Sequence, residues 1–230
     1  MRIFVVGGRG FIGAHVVRAL AEHDVRVAER GEMPRERYDV VIHNALVWRD
    51  DDHFGLEDVR YATNVFRAAA DSGAEHLVYT SSMAAGRCED FYGAVKAANE
   101  AFLLAFSDRM RVTIIRPGPV VGGNKPPPRL AEIARCAREG RVVEVAKNDG
   151  KQFIHVLDLA DVYANVVRSR SNRQTIHAVA KDFITWEDVA RMAGAKVIVE
   201  GEVDPVIVQG LDCTAREAVE AEIRRFTSRP

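Results

Sequence analysis

Short apolar runs recur along the chain, and each is followed by a stretch in which apolar residues return every three or four positions. "RIFVV" (residues 2–6), "VRVAE" (25–29), "DVVIHNA" (39–45), "HLVYTSS" (76–82) and "RVTIIRPG" (111–118) read as strands. Apolar side chains at successive positions, rather than at every second one, mean that both faces of these strands are covered, as in a buried parallel sheet. Phe11 to Ala21, Leu56 to Ala70 and Phe91 to Phe106 read as helices, the second stopping near Gly73 as a natural C-terminal cap. Strand and helix alternate, which predicts an α/β fold: a doubly wound parallel sheet.

Beyond Pro117 the texture changes. "GPVVGGNKPPP" is a loop, because three consecutive prolines favour extended backbone. A helix at Leu130 to Arg138, a strand at "RVVEVA" and a strand–helix pair in "FIHVLDLADVYANVVR" follow. Thr185 stands three residues before Asp188, and Thr214 three before Glu217, spacings that predict capped starts for two later helices. The chain reads as a single domain over residues 1–230, with residues 118–150 and 176–230 contributing most of a small C-terminal lobe.

Composition narrows the function classes. With Lys plus Arg at 32 against Asp plus Glu at 33, the net charge of -1 offers no global field for nucleic acid or an anionic membrane. Cys88, Cys136 and Cys213 form no CxxC pair and are odd in number, which suits a reducing compartment better than a disulfide framework. No apolar run approaches the roughly 20 residues that span a bilayer. A cytoplasmic protein with no metal centre is expected.

"VVGGRGFIGAHVV" contains two nested spacings, Gly7, Gly10 and Gly13 as GxxGxxG and Gly8, Gly10 and Gly13 as GxGxxG. Between a strand and a helix, such glycines permit a tight turn and let backbone approach a pyrophosphate seated on the helix N-terminus. The expected dinucleotide cradle therefore comprises Gly7, Gly8, Arg9, Gly10, Phe11, Ile12 and Gly13. Glu29, at the end of the next strand, can accept from ribose hydroxyls and would repel a 2′-phosphate, which favours NAD. Arg9 and Arg30 could pair with that phosphate, so NADP is the alternative.

Tyr92 and Lys96 stand four positions apart on a predicted helix and so share a face. A neighbouring ammonium and a positively charged nicotinamide would lower the pKa of the phenol, which could then exchange a proton with a substrate hydroxyl. Ser82, at the end of a strand, could hold the substrate oxygen.

Taken together, "GGRGFIG", "DVVIHNA", "LVYTSSMAAG", "YGAVK", "IIRPGPVVGG" and "FIHVLDLADV" occur in an order that resembles the short-chain dehydrogenase/reductase superfamily, in its extended branch of NAD-dependent epimerases and dehydratases. The resemblance implies a Rossmann-type fold and puts the catalytic roles on Ser82, Tyr92 and Lys96. "DVVIHNA" is similar to the family's "VVHLAA", which implies that Asn44 and Ala45 border the cofactor and that His43 is a satisfied core or cofactor-edge histidine rather than a base. Pro117 and Gly118 follow the strand whose end faces the nicotinamide in that family. The expected substrate is a small molecule with a hydroxyl or keto group, a sugar nucleotide among the candidates, and the expected partner is a second copy of the chain, docked through the helices at Leu56 to Ala70 and Phe91 to Phe106. A non-catalytic dinucleotide sensor or scaffold of the same superfamily is the competing reading.

The chain also departs from the family pattern. Only eight residues separate Arg30 from Asp39, too few for the usual helix and strand, although eight extended residues reach about 26 Å. One helix–strand unit is therefore predicted to be missing, and the adenine site to have lost a wall. "NDGKQFIHV" lacks the family's diphosphate-clasping arginine and leaves Lys125, Lys147 and Lys151 as flexible substitutes. Asp58 and Tyr61 stand where relatives usually carry Asn and Gly.

Overall fold

A computed structural model describes residues 1–47, 54–123 and 126–228, so that Lys125 lies outside the described residues. In chain order the elements are β1 (Arg2–Val6), α1 (Phe11–Ala19), β2 (Asp24–Val27), β3 (Val40–His43), α2 (Phe54–Asp71), β4 (His76–Thr80), a 3₁₀ turn at Met83–Gly86, α3 (Phe91–Leu104) and β5 (Arg111–Pro117). There follow β6 (Val120–Val121), α4 (Pro128–Arg138), β7 (Val142–Lys147), β8 (Gly150–Lys151), β9 (Ile154–His155), α5 (Val156–Ser169) and β10 (Gln174–Ala178). The last elements are β11 (Ile184–Thr185), α6 (Trp186–Met192), β12 (Lys196–Glu202) and α7 (Arg216–Thr227). Two compact units result, Met1–Pro117 with Leu159–His177, and Gly118–Asp158 with Ala178–Pro230.

The first unit is built on a six-stranded sheet in the order β10-β5-β4-β3-β1-β2. β1 pairs in parallel with both β2 and β3, and β3–β4 and β4–β5 are parallel too. The sheet thus grows in both directions from β1, a doubly wound, Rossmann-type arrangement with its topological switch between β1 and β3. Phe4 and Val6 pack with Ala62, Val65, Phe66 and Ala69 of α2, while the alternate residues Ile3 and Val5 are buried equally completely. That double burial is the reason the strands read as continuous apolar runs.

Between β2 and β3 there is neither helix nor strand, as the spacing predicts. The crossover is held by charge and by Tyr38. Arg26 Nη2 donates to Glu32 Oε1 at 2.5 Å, the Glu29 amide to Glu32 Oε2 at 2.8 Å, and the Arg2 amide to Asp39 Oδ2 at 2.7 Å. The buried Tyr38 ring stacks at a tilt on Phe4, with centroids 5.0 Å apart. β2 is left as the edge strand.

In the second unit, α4, α6 and α7 pack with β7 around Leu130, Ile133, Phe153, Trp186, Val189 and Ile223. Thr185 caps α6 as expected, its hydroxyl accepting the Asp188 amide at 3.0 Å. The box expected at Thr214 does not form. α7 starts after Ala215, whose amide is taken by Asp182 Oδ1 at 2.9 Å, and this contact from outside the helix fixes where it begins.

Candidate functional site

At the switch point the chain turns on glycine. Gly7 has φ of +79°, and a Cβ there would lie 2.6 Å from the Ala45 amide nitrogen; one on Gly13 would lie 2.2 Å from Gly7 O. Both obstacles are backbone, which cannot yield as a flexible side chain would. The turn closes through Gly10 N–H to Gly7 O at 3.0 Å, and the first intrahelical bond of α1 runs from Ala14 to Gly10. The amides of Phe11, Ile12 and Gly13 precede that bond and lie at the positive end of the helix. No acidic residue occupies the first turn to compensate them. A phosphate suits such a cradle.

Glu29 and Arg9, which sequence reasoning set against each other as selectors of the 2′ position, pair with one another. Arg9 Nη1 donates to Glu29 Oε2 at 2.7 Å, and Nη2 reaches Oε1 in a bidentate, exposed pair. Arg30 is also exposed. Across the switch point, Asn44 Oδ1 accepts from Thr80 and, at 3.0 Å, from Tyr163. Its Nδ2 is buried without a hydrogen-bond partner among the described residues. An orphaned donor beside the glycine turn fits a ligand that accepts hydrogen bonds. The turn, the α1 amides and Asn44 together match a dinucleotide.

Ser82 and Tyr92 meet because α3 starts tightly against the 3₁₀ turn. Asp90 Oδ1 accepts the Gly93 amide at 2.6 Å, and a Cβ on Gly93 would come 2.6 Å from Ala84 O. Ser82 Oγ accepts the Ala84 amide at 3.2 Å, and Ser82 stands close enough to Tyr92 to act on its phenol. Lys96 Nζ lies 5.9 Å from the centre of the Tyr92 ring, so the two side chains do share a face. Ser82, Tyr92, Lys96, the glycine turn, Glu29, Asn44, Ala45 and Pro117 all belong to the first unit. Gly118 belongs to the second, where its amide donates to Ala178 O at 3.1 Å.

The lowering expected for Tyr92 counted a nicotinamide as well as Lys96, and the protein's own groups push the other way. The phenol is pushed above its ordinary value, first by burial and then by the Asp58 and Asp90 carboxylates, with Ser82 opposing them. Lys96 does not hold it down, because its ammonium is engaged elsewhere. Nζ donates to Tyr79 Oη at 3.1 Å and lies 3.6 Å from Asp58 Oδ2, with both charged side chains buried. Burial lowers the Lys96 pKa, and Asp58 and Glu100 partly restore it.

Asp58 is fixed by two donors: its Oδ1 accepts the Val47 amide at 2.9 Å, and Oδ2 accepts Asn99 Nδ2 at 3.0 Å. Asn99 Nδ2 also reaches Tyr79 Oη at 2.9 Å. A second buried cluster lies alongside, where Glu100 takes Arg116 Nε at 2.8 Å and Nη2 at 2.5 Å together with the Ser81 hydroxyl. Asn99 and Glu100 escaped the sequence reading, although they follow Lys96 by three and four positions, the spacing that shares a helix face. His43 is a core residue as expected, but it is not satisfied: neither ring nitrogen has a partner among the described residues. The rings of Tyr61, Phe66 and Tyr79 meet it edge-on, and burial depresses its pKa to about 3.

The fold and this arrangement define a dinucleotide-type scaffold carrying a Ser-Tyr-Lys cluster. Residues 30–180, more than half of the chain, match the model of the NAD dependent epimerase/dehydratase family, and the chain belongs to that family. It is similar to the 2-alkyl-3-oxoalkanoate reductase of Stenotrophomonas maltophilia (strain K279a), with 30% identity over 190 residues, or 60% of this chain. The match spans 57% of that relative's length. Among solved structures, the UDP-glucuronic acid 4-epimerase of Bacillus cereus in complex with NAD is 14% identical, with a TM-score of 0.78 and coverage of 99% of this chain and 100% of that one. The UDP-N-acetylglucosamine 4-epimerase from Bacillus cereus is 17% identical, with a TM-score of 0.74 and coverage of 100% and 98%. At these identities the two structures speak for the fold. Among the described residues, no helix is long and apolar enough to cross a membrane.

Proposed function

We propose that the protein is an NAD(P)-dependent oxidoreductase or epimerase acting on a small molecule with a secondary hydroxyl or keto group. The observation that carries this reading is the approach of Lys96 Nζ to 5.9 Å from the centre of the Tyr92 ring, with Ser82 close by, in the same unit as the glycine turn. Gly7 to Gly13 and the α1 amides would hold a pyrophosphate, Glu29 a ribose, and Asn44 a further acceptor; Pro117 would border the nicotinamide. Bound there, the dinucleotide supplies hydride exchange with the carbinol carbon. Ser82 would orient the substrate oxygen, Tyr92 Oη would give a proton to it or take one from it, and Lys96 would sustain the charge.

Glu29 favours NAD over NADP, and the reductase activity named for the curated relative favours net reduction over epimerisation. UDP-sugars, named for the similar structures, are candidate substrates. The test is Tyr92→Phe, which should lower turnover by about 10²-fold or more while dinucleotide affinity, read by calorimetry, stays within a few-fold. Unchanged turnover would refute a catalytic Tyr92. The upward push on Tyr92 favours a second reading, a dinucleotide-binding sensor or scaffold, for which the substitution would be silent.

The same reading includes a homodimer. On α3, Phe91, Ala94, Ala101 and Phe102 are exposed, and an apolar stripe of this kind favours a second copy as its cover. Cys88, Cys136 and Cys213 are free thiols, which supports a reducing, cytoplasmic setting.

A further inference from the structure

The element of the site that the family pattern does not lead one to expect is Asp58. It is a carboxylate 1% exposed, reaching from α2 to the one ammonium that the proposed chemistry needs near Tyr92. A buried carboxylate of this kind is retained at a desolvation cost, and an asparagine there could still accept the Val47 amide. What asparagine could not do is neutralise Lys96.

The geometry shows what that neutralisation does. Lys96 Nζ is directed at Tyr79 Oη and Asp58 Oδ2, at 3.1 and 3.6 Å, and Asp58 is pinned by Val47 and Asn99 so that it cannot follow a moving ammonium. The groups facing this pair are Tyr79 of β4, Glu100 of α3 and, from β3, the uncharged His43. Glu100 is itself bound to Arg116 of β5. Around Tyr92 stand Ser82, Asp90 and Asp58. Asp58 is the charged group common to both surroundings.

Resting on the function proposed above, we propose that Asp58 is a positioning residue that acts on Tyr92 through Lys96, holding the ammonium so that the phenol stays protonated at neutral pH. The site is then set to donate: where hydride from a bound reduced dinucleotide would add to the substrate carbonyl carbon, the Tyr92 O–H bond would break as an O–H bond forms on the carbonyl oxygen, and the resulting phenolate would regain its proton from solvent. Removing a proton from a carbinol would instead demand alkaline conditions. The two directions of one reaction are thus given unequal pH ranges by a residue that touches no substrate.

The test uses the intact chain without substrate. The ultraviolet difference between wild type and Tyr92→Phe near the phenolate band isolates the titration of Tyr92 from that of the other four tyrosines. The same difference is then taken in an Asp58→Asn background. The Tyr92 midpoint should fall by about one pH unit or more once the competing carboxylate is gone, and the fall should shrink by more than half in a Lys96→Met background. A midpoint that does not fall overturns the proposal, and so does an equal fall without Lys96, which would make Asp58 act directly. Should Asp58→Asn not fold, Asp58→Ser removes the same charge and is read the same way. This titration needs no turnover, so its failure is distinguishable from a failure of the catalytic reading, which Tyr92→Phe activity decides by itself.

Discussion

His43 makes the fold sensitive to acid, and the structure gives the size of the effect. Its ring is fully buried among Tyr61, Phe66 and Tyr79, and both nitrogens lack partners among the described residues, so a proton on it has no counter-charge and no acceptor. Burial, with the Lys96 ammonium adding repulsion, takes its pKa from 6.5 to about 3. A depressed histidine pKa means that the unfolded chain binds the proton first. Stability from the neutral ring is complete above 6.5 and drains as pH falls from there towards 3. Each full pH unit inside that window costs about 1.4 kcal/mol. Going from pH 6.5 to 4.5 therefore removes about 2 kcal/mol, since the titration is already half complete at the upper limit.

His43→Leu places an apolar side chain in that aromatic socket and removes the titrating group. Urea unfolding followed by circular dichroism at pH 6.5 and 4.5 should show the variant losing about 2 kcal/mol less than wild type over this interval. Part of the loss should remain, because His76, also buried and with a pKa near 4, titrates over the same range. Identical losses in wild type and variant would refute the reasoning, because they would mean that His43 is not held neutral.

Gly13→Ala drives a Cβ to 2.2 Å from Gly7 O, and the turn must open to admit it; calorimetry with NAD should show affinity reduced at least tenfold, equivalent to about 1.4 kcal/mol. Phe102→Asp puts a charge on the exposed face of α3, 46% exposed in the single chain; sedimentation should show a dimer in wild type and a monomer in the variant, and a wild-type monomer would end the dimer proposal.

Most of the first unit was legible because its strands are covered on both faces. A run such as Ile3 to Val6 leaves few alternatives when every position is buried. The missing helix–strand unit was legible from length alone. The second unit was harder to read. β12, "KVIVEGE", was not foreseen, and its exposure explains why: Ile198 and Val199 are 43% and 42% exposed, so the strand follows its pairing with β7 rather than a core-facing pattern. The start of α7 was misjudged for a related reason, since Asp182, far away in sequence, takes the amide that a local cap was expected to order.

The site shows where spacing stops being informative. An interval of four on a helix does bring Tyr92 and Lys96 to one face, but a shared face fixes only proximity, and the proton affinity of Tyr92 depends on the whole surrounding field. Part of that field comes from α2, a helix whose place beside α3 is a tertiary fact: Asp58 precedes Lys96 by 38 positions and still approaches its ammonium to 3.6 Å. The odd residue type at position 58 was visible in the sequence, whereas its target was not. A lysine that lowers the pKa of a neighbouring phenol must have charge to spare for it. Here a buried carboxylate lies against that charge, and under the role proposed for Asp58 a motif read as a base-forming pair keeps its proton.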